Sequence, residues 1–188
     1  MLVDGPADRE PSIVLAHGAG APMDSPFLEA VAQGLAERGL RVVRFEFPYM
    51  RRRRAAGTRR PPDPAPVLRG AWLEVVERLG GGPRLVIGGK SLGGRMASMI
   101  ADDVGARGLV CLGYPFHPPG QPDRLRTAHL EALRTPTLIV QGTRDALGSR
   151  EEISSYRLSP GIRIEYLEDG DHSFRPRAGS GRAEAQNL

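Results

Sequence analysis

The strongest constraint on the fold is a serine between glycines near the centre of the chain. Residues 85–94 read Leu-Val-Ile-Gly-Gly-Lys-Ser-Leu-Gly-Gly, which places Ser91 in a Gly89-x-Ser91-x-Gly93 pattern. An apolar run precedes the pattern, and a segment with small residues and helical character follows it. A strand that turns this tightly into a helix strains the serine backbone, and the flanking glycines remove side chains that would clash. The pattern therefore predicts a nucleophile elbow.

Six apolar runs recur along the chain, each followed by a segment of helical character. The runs cover residues 13–16, 42–47, 85–87, 109–112, 138–140 and 162–167. Most are continuously hydrophobic, as strands buried on both faces of a sheet are. Run 42–47 instead alternates apolar and polar side chains, which predicts an edge strand. The whole pattern predicts an α/β fold with about six mostly parallel strands and helices on both faces.

Helical periodicity fills the segments between these runs. The predicted helices cover 26–39, 66–79, 91–101, 123–133 and 149–158. Ser25 can cap the first of them. Two segments, the arginine-rich 49–65 and the proline-rich 114–122, match no element. Since both follow the carboxyl ends of strands, where open parallel sheets bind ligands, we expect them to form walls of a pocket.

Length and composition favour an ordinary globular protein. The 188 residues suffice for one core, so a single domain over 1–188 is expected. The first ten residues do not resemble a secretory signal, and no apolar run reaches the length of a membrane span. Cys111 is the only cysteine, which excludes an internal disulfide. These features predict a cytoplasmic protein that does not engage a membrane.

The positive charge of the chain comes almost entirely from arginine. The net charge is +4, and Lys90 is the only lysine. One dense cluster comprises residues 51–54 together with Arg59 and Arg60, and it has no interleaved aromatic side chains that could stack on bases. A solvent-exposed loop is the favoured interpretation of this cluster, and a nucleic-acid partner is the weaker alternative.

Lys90 raises a second interpretation of the glycine-rich turn. A phosphate-binding P-loop also joins a strand to a helix, but it needs a glycine six residues before its lysine. Arg84 occupies that position, which disfavours a P-loop. The sequence leaves open whether Lys90 contacts an anionic substrate or is a surface or supporting residue.

A nucleophilic serine needs a base to take its proton and an acid to orient that base. The histidines stand at positions 17, 117, 129 and 172. In folds built on a nucleophile elbow the chain order is serine, acid and histidine, which selects His172, just after the sixth apolar run. Asp145 follows the preceding run, whereas Asp169 and Asp171 are expected to shape the turn before His172. We therefore predict a triad of Ser91, Asp145 and His172.

The tetrahedral intermediate of such a reaction carries an oxyanion that needs backbone donors. One donor is expected to be the N–H of Leu92, which follows the serine, and the other the N–H of Ala19, after the first apolar run. His17, beside Ala19, is interpreted as structural.

The two irregular segments supply candidates for the substrate pocket. Tyr49 and Met50 lie in the first segment, and Phe116 and His117 lie in the second. Each of the four could equally be a packing residue. The sequence predicts neither a metal site nor a cofactor.

Six stretches, in order along the chain, match a known family. They are Leu15-Ala-His-Gly-Ala-Gly-Ala21, Arg44-Phe-Glu-Phe-Pro-Tyr49, Gly88-Gly-Lys-Ser-Leu-Gly-Gly-Arg-Met-Ala-Ser98, Cys111-Leu-Gly-Tyr-Pro-Phe-His-Pro-Pro119, Gln141-Gly-Thr-Arg-Asp145 and Asp169-Gly-Asp-His172. On these stretches the chain resembles the α/β-hydrolase superfamily, in particular small proteins related to dienelactone hydrolases and the branch of KANL/Tex-type α/β-hydrolase-like domains. The resemblance implies the fold and the roles of Ser91, Asp145 and His172, and it implies no substrate.

The chain departs from this family at both ends. The sheet of the family often begins with extra antiparallel strands, for which residues 1–11 are too short. A longer closing helix usually follows the histidine, whereas residues 180–188 allow only a short one. The resemblance therefore implies a minimal version of the fold without a large cap domain.

Three functions remain in competition. The first is a serine hydrolase of the carboxylesterase or thioesterase kind, acting on a small acyl substrate through an acyl-enzyme. The second is a non-catalytic binding or scaffold protein that keeps the fold. The third is a nucleic-acid binder that uses the arginines. A complete set of nucleophile, base and acid favours the hydrolase.

Overall fold

A computed structural model describes residues 1–183 and 187. Its centre is a seven-stranded sheet with the strand order β1-β3-β2-β4-β5-β6-β7. The strands are β1 (Leu2–Asp4), β2 (Ser12–Ala16), β3 (Val42–Phe45), β4 (Leu85–Lys90), β5 (Gly108–Leu112), β6 (Thr137–Gly142) and β7 (Ile162–Leu167). Neighbouring strands pair in parallel except β1, which runs antiparallel to β3. The predicted α/β fold is confirmed.

The amino-terminal edge of the sheet differs from the prediction. β3 is not an edge strand, because it lies between β2 and β1 and all four of its residues are buried. β1 itself comes from the segment that was expected to be too short for an antiparallel strand. Arg44 of β3 explains the error: its guanidinium pairs with Asp4 of β1 at 3.0 Å and donates to the Met23 carbonyl at 3.1 Å. In sequence, an arginine paired in this way looks like one that faces solvent.

Five α-helices lie in the described ranges. They are α1 (Pro26–Glu37), α2 (Pro48–Ala56), α3 (Ala65–Arg78), α4 (Leu92–Ser98) and α5 (Arg150–Ile153). α1 and α3 match their predictions closely, whereas α4 and α5 are shorter than expected and 123–133 contains only a 3₁₀ turn at Ala128–Leu130. The segment 49–65 is not irregular throughout: Pro48 opens α2, and Gly57, with a φ of 64°, ends it.

The two faces of the sheet are covered by different helices. Val14 of β2 belongs to the large core that contains Trp72 of α3 and Met96 of α4, whereas its neighbour Leu15 belongs to a smaller cluster with Leu28 of α1. Because successive side chains of a strand point to opposite faces, α1 lies on one face and α3 and α4 lie on the other. Helices on both faces are as predicted, and no cap domain covers the sheet in the described ranges.

Two expectations concern the extent of the chain. The short closing helix over 180–188 falls partly on 184–186 and 188, which lie outside the described residues, and 180–183 are not helical. A single domain over 1–188 stays a prediction. Within the described ranges, no helix combines the length and the apolar character that crossing a membrane would require.

Candidate active site

Ser91 occupies the sharp turn between β4 and α4. Its φ of 49° and ψ of −112° lie outside the conformations that side-chain-bearing residues favour, so the backbone is strained there. A Cβ on Gly89 would lie 2.0 Å from the Ala16 carbonyl oxygen, and one on Gly93 would lie 2.3 Å from the same oxygen. β2 therefore approaches the turn so closely that only glycine fits on either side of the serine. The geometry is that of a nucleophile elbow, as the sequence pattern predicts.

The three residues of the predicted triad are in hydrogen-bonding contact. His172 Nε2 lies 2.9 Å from Ser91 Oγ, and His172 Nδ1 lies 2.7 Å from Asp145 Oδ2. Because an ionised carboxylate only accepts hydrogen bonds, Nδ1 carries the proton and Nε2 presents its lone pair to the serine hydroxyl. The Asp145 side chain is fully buried, whereas that of His172 is 29% exposed. The arrangement allows His172 to take the Ser91 proton while Asp145 holds the ring.

Gln141, which is not among the predicted site residues, holds the Asp145 carboxylate. Its side-chain amide donates to Asp145 Oδ2 at 2.9 Å and to the Gly148 carbonyl at 3.0 Å, and its oxygen accepts from the Tyr114 N–H at 2.8 Å. The backbone N–H of Leu147 donates to the other oxygen of Asp145 at 2.8 Å. Both carboxylate oxygens are therefore satisfied in the interior. A fully buried glutamine in the apolar strand β6 was the available signal for this role.

His17 and Tyr49 fix the loop that carries Ala19. His17 Nε2 accepts from the Phe47 N–H at 3.1 Å, so its proton is on Nδ1, which donates to the Gly18 carbonyl at 2.7 Å. Burial lowers the pKa of His17, which keeps the ring neutral and this pattern intact. The Tyr49 hydroxyl is also in hydrogen-bond contact with the Gly18 and Ala19 carbonyl oxygens, at 3.3 and 3.1 Å. The structural interpretation of His17 agrees with these contacts.

The anchored Gly18 carbonyl has a consequence for the Ala19 N–H. Both groups belong to one planar trans peptide, in which the C=O and the N–H point in opposite directions. Holding the carbonyl towards His17 and Tyr49 therefore aims the Ala19 N–H away from them. Ala19 lines the cavity beside Ser91. Leu92, the other predicted donor, is the first residue of α4, where N–H groups have no partner within the helix.

Lys90 links the elbow to the loop of the histidine. Its Nζ donates to the main-chain oxygen of His172, and the ammonium lies 5.6 Å from the centre of the Phe27 ring and 5.2 Å from that of Phe174. Gly113, with a φ of 66°, leaves room for this contact, because a Cβ there would lie 2.6 Å from Lys90 Nζ. Burial lowers the pKa of Lys90 to about 8, although the charges of Asp145 and Asp171 act in the opposite direction.

The loop before His172 is held by its own acidic residues. Asp169 Oδ1 accepts from Arg144 Nε at 2.8 Å and from Arg177 Nε at 2.7 Å. Asp171 Oδ1 accepts from the backbone N–H groups of Ser173 and Arg175 at 2.7 and 2.9 Å. Neither carboxylate contacts the His172 ring, so both shape the turn, as the sequence analysis expects.

A cavity of about 510 Å³ opens beside Ser91. Its lining is formed by Gly18, Ala19, Gly20, Ala21, Ser25, Pro26, Phe27, Leu28, Lys90, Ser91, His172, Ser173 and Arg175. The walls therefore come from the loop after β2, the start of α1 and the histidine loop. Except for Lys90, Ser91 and His172, the polar side chains among them are Ser25, Ser173 and Arg175.

The four residues predicted to line the pocket lie elsewhere. Tyr49 and Met50 occupy the first turn of α2 and are buried, with Tyr49 directed at the loop of Ala19. Phe116 is fully buried against the rings of Tyr114 and Tyr156, at centroid distances of 4.8 and 5.5 Å. His117 is buried too, with Nε2 3.3 Å from the Glu152 carboxylate. All four are packing residues because the segments that carry them fold inwards and leave the cavity to α1 and the histidine loop.

Comparisons with known proteins agree with this fold. The family model described as Alpha/beta hydrolase domain matches residues 9–188. Among solved structures, an alpha-beta serine hydrolase homologue from Coxiella burnetii superimposes with a TM-score of 0.68 at 20% identity, covering 91% of this chain and 82% of that one. A serine hydrolase without a lid from Xanthomonas campestris gives 0.66 at 20% identity, covering 92% and 79%.

A third solved structure, the esterase domain of a Rhodothermus marinus protein, gives a TM-score of 0.64 at 17% identity and covers 92% of this chain and 83% of its own. At these identities the likeness to solved structures shows the fold alone. The family model carries more weight because it spans nearly the whole chain, from just before β2 to the histidine loop and beyond. The chain therefore belongs to the alpha/beta hydrolase domain family.

Proposed function

We propose that this protein is a serine hydrolase that cleaves esters or thioesters of small acyl groups through Ser91, His172 and Asp145. The observation that carries the proposal is the continuous chain of contacts from Ser91 Oγ to His172 and on to Asp145, at 2.9 and 2.7 Å, with the serine in a strained turn that lines a cavity. The similar structures include serine hydrolases and an esterase domain, which supports the same class.

The proposed reaction has two halves. In the first, His172 Nε2 accepts the Ser91 proton as Oγ bonds to the acyl carbon, and the same proton then passes to the leaving alcohol or thiol as its bond to carbon breaks. In the second, His172 takes a proton from water while the water oxygen attacks the acyl-enzyme. The carboxylic acid product is released and the proton returns from His172 to Ser91 Oγ. The enzyme is thereby regenerated, with water as the only reactant besides the substrate.

The oxyanion formed in each half needs donors that are already in place. The N–H groups of Leu92 and Ala19 are proposed for this role. Support comes from the first-turn position of Leu92 and from the anchoring of the Gly18 carbonyl by His17 and Tyr49. A missing donor of this kind reduces kcat by about 10²–10³-fold in comparable enzymes.

The cavity constrains the substrate. A volume of about 510 Å³ lies within the range of small-molecule sites. Ala19, Ala21, Pro26, Phe27 and Leu28 give it an apolar part that suits a short acyl chain. We include in the proposal the dienelactone-hydrolase-like subtype and a cytoplasmic location. No metal or cofactor has a part in the proposed steps.

A fluorophosphonate probe tests the proposal, because it labels only a serine that an adjacent base activates. The unaltered protein should be labelled stoichiometrically and Ser91→Ala should not be labelled at all. Ser98→Ala is the matched control, since Ser98 also contacts a histidine but is buried in α4. Equal labelling of Ser91→Ala would exclude Ser91 as the nucleophile, and an unreactive but folded protein would favour a binding or scaffold role.

A further inference from the structure

A second, shallower cavity of about 360 Å³ adjoins the first on the surface of the molecule. It is lined by Gly20, Arg53, Arg59, Arg60 and Pro61. Gly20 also lines the cavity that contains Ser91. The two cavities are therefore neighbours that meet at the loop after β2, one residue beyond Ala19.

Apart from Arg51, the arginines of this cluster divide into two groups. Arg52 is paired with Asp63, and Arg54 is paired with Asp24 at 2.7 Å and Glu46 at 2.5 Å. These carboxylates neutralise the charges of Arg52 and Arg54, whose side chains are half exposed. The pairs also explain why a run of four arginines can form part of a helix without strong mutual repulsion.

Arg53, Arg59 and Arg60 form the second group. None of the three pairs with a carboxylate in the ranges that the structure describes. Arg53 instead directs Nη1 at the Gly20 carbonyl, 3.4 Å away, which holds its guanidinium at the boundary between the two cavities. Arg59 and Arg60 are exposed. Three uncompensated guanidiniums thus surround one small concavity beside the site.

Guanidinium groups are suited to phosphate, because their fork of N–H donors matches its oxygens and their charge persists at all physiological pH values. A phosphomonoester carries a charge of about −1.5 to −2 at neutral pH, which calls for more than one cation. A single carboxylate would need only one of the three arginines. The number and placement of the cations therefore favour phosphate.

We propose that the Arg53, Arg59 and Arg60 cavity binds a phosphate group on the leaving part of the substrate, so that the protein hydrolyses acyl esters or thioesters of phosphorylated alcohols or thiols. This inference rests on the proposed hydrolase function and adds the substrate class to it. The bond cleaved is the acyl bond, by the steps given above, and the phosphoester leaves intact with the alcohol or thiol. The adjacency of the cavities requires the phosphate to lie within a few bonds of the scissile acyl group.

Two esters that differ only in the phosphate test this inference. Butyrate release from 1-butyrylglycerol and from 1-butyrylglycerol 3-phosphate is followed at low ionic strength with the unaltered protein, with Arg59→Gln/Arg60→Gln, and with Arg134→Gln/Arg157→Gln. The last pair removes the same charge at two highly exposed positions outside both cavities. Arg53 is left unchanged because it contacts the loop of Ala19.

The unaltered protein should favour the phosphorylated ester in kcat/KM by about fivefold to tenfold, mainly through KM, because exposed ionic contacts contribute modestly and are screened by salt. Arg59→Gln/Arg60→Gln should lose this preference and keep its rate with the neutral ester, whereas the control pair should behave like the unaltered protein. Equal kcat/KM values for the two esters in the unaltered protein, or a preference that survives in Arg59→Gln/Arg60→Gln, would overturn the inference.

Calorimetric binding of the same two esters to Ser91→Ala separates this inference from the proposed function, since it needs no catalysis. Tighter binding of the phosphorylated ester, lost on adding Arg59→Gln/Arg60→Gln, supports the phosphate site even if no ester is hydrolysed. Equal binding of the two esters overturns the site even if both are hydrolysed. A single-stranded oligonucleotide that binds through these arginines while the phosphorylated ester does not would assign the cluster to nucleic acid and also overturn it.

Discussion

Two serine–histidine contacts lie seven residues apart on the same turn and helix, and only one of them has the environment of a catalytic site. Ser91 Oγ is 2.9 Å from His172 Nε2, and Ser98 Oγ is 2.8 Å from His129 Nε2. By distance alone the second contact is the better one. A serine–histidine hydrogen bond is therefore not sufficient to identify a nucleophile.

The direction of the protons distinguishes the two pairs. Ser98 Oγ donates to the Arg95 carbonyl at 2.8 Å, so its hydroxyl proton points along α4 and not at His129. Ser91 has no such alternative among the contacts described for it, and its hydroxyl faces the lone pair of His172. His172 is poised to accept a proton, whereas His129 acts as a donor to Ser98.

The surroundings of the two histidines differ as well. Asp145 contacts Nδ1 of His172, but in the ranges that the structure describes no carboxylate bonds to His129. Burial and the nearby charge of Arg95 lower the pKa of His129, which disfavours the imidazolium that a general base becomes. Ser98 is 2% exposed and lies in a helix, whereas Ser91 lines a cavity. The strained backbone of Ser91, its access to the cavity and the carboxylate beside His172 thus distinguish the first pair from the second, which is a packing contact.

Replacing each histidine by glutamine should give the largest difference in kcat between the two serine–histidine pairs. His172→Gln should reduce kcat for a small ester such as 4-nitrophenyl butyrate by about 10⁴-fold or more, because removing the base of a triad costs nearly as much as removing all of it. His129→Gln should change kcat by less than about threefold, since it affects packing only. Steady-state kinetics of both variants measure this. Comparable losses in the two variants would break the distinction between the pairs.

Asp145→Asn tests the acid separately. The amide can keep the contact with His172 but donates where the carboxylate accepts, which favours the wrong tautomer of the imidazole. A loss of about 10³–10⁴-fold in kcat is expected with KM nearly unchanged, as for other triads. Thermal unfolding of the same variant serves as the control for folding. A variant that folds normally and keeps a tenth of the activity or more would remove Asp145 from the triad.

Much of this contrast could be predicted from the sequence. The Gly89-x-Ser91-x-Gly93 pattern distinguishes Ser91 from Ser98, and chain order selects His172 over His129. The first signal is local, because glycine is required where β2 approaches the turn closely. The second follows from the topology, because parallel strands bring the residues after β6 and β7 to one edge of the sheet. The parallel strands themselves were readable because strands buried on both faces are continuously apolar.

Features that depend on contacts between residues distant in sequence could not be predicted from the sequence. α2 shows no apolar stripe, and two of its arginines, Arg52 and Arg54, are held by Asp24, Glu46 and Asp63, which come from three other segments. The cavity wall likewise depends on how α1 meets the histidine loop, which brings Phe27 to within 5.5 Å of Phe174 between ring centres. Irregular segments were expected to form that wall, but tertiary packing turned their aromatic side chains inwards.

Replacing Lys90 should give the smallest loss of kcat. It tests whether the loop that carries His172 contributes to the difference between the two serine–histidine pairs. Lys90 donates to the main-chain oxygen of His172, a contact that His129 lacks in the part of the chain that the structure describes, so we expect Lys90 to act as a positioning residue. Lys90→Met, which keeps the length of the side chain, should lower kcat by about tenfold with little change in KM, in line with the loss of one hydrogen bond from a charged donor. Partial unfolding would also lower the apparent kcat at unchanged KM, so the concentration of active enzyme is titrated with the fluorophosphonate probe in both proteins.

The pH dependence makes the Lys90 prediction specific. The pKa of this lysine is lowered to about 8 from its ordinary 10.5, chiefly by burial, so the ammonium is lost within the folded protein as the pH rises through 8. A neutral amine holds the His172 carbonyl less strongly, and kcat should decline across that range in the unaltered protein but not in Lys90→Met.

The free energy of unfolding should change in the opposite direction. Between pH 8 and 10.5 the unfolded chain binds more protons at this site, so the free energy of unfolding rises with pH more in the unaltered protein than in the variant. Denaturant titrations at pH 7.5 and 9.5 measure the change in the free energy of unfolding. Identical pH profiles of kcat for the unaltered protein and Lys90→Met would show that Lys90 does not act on His172.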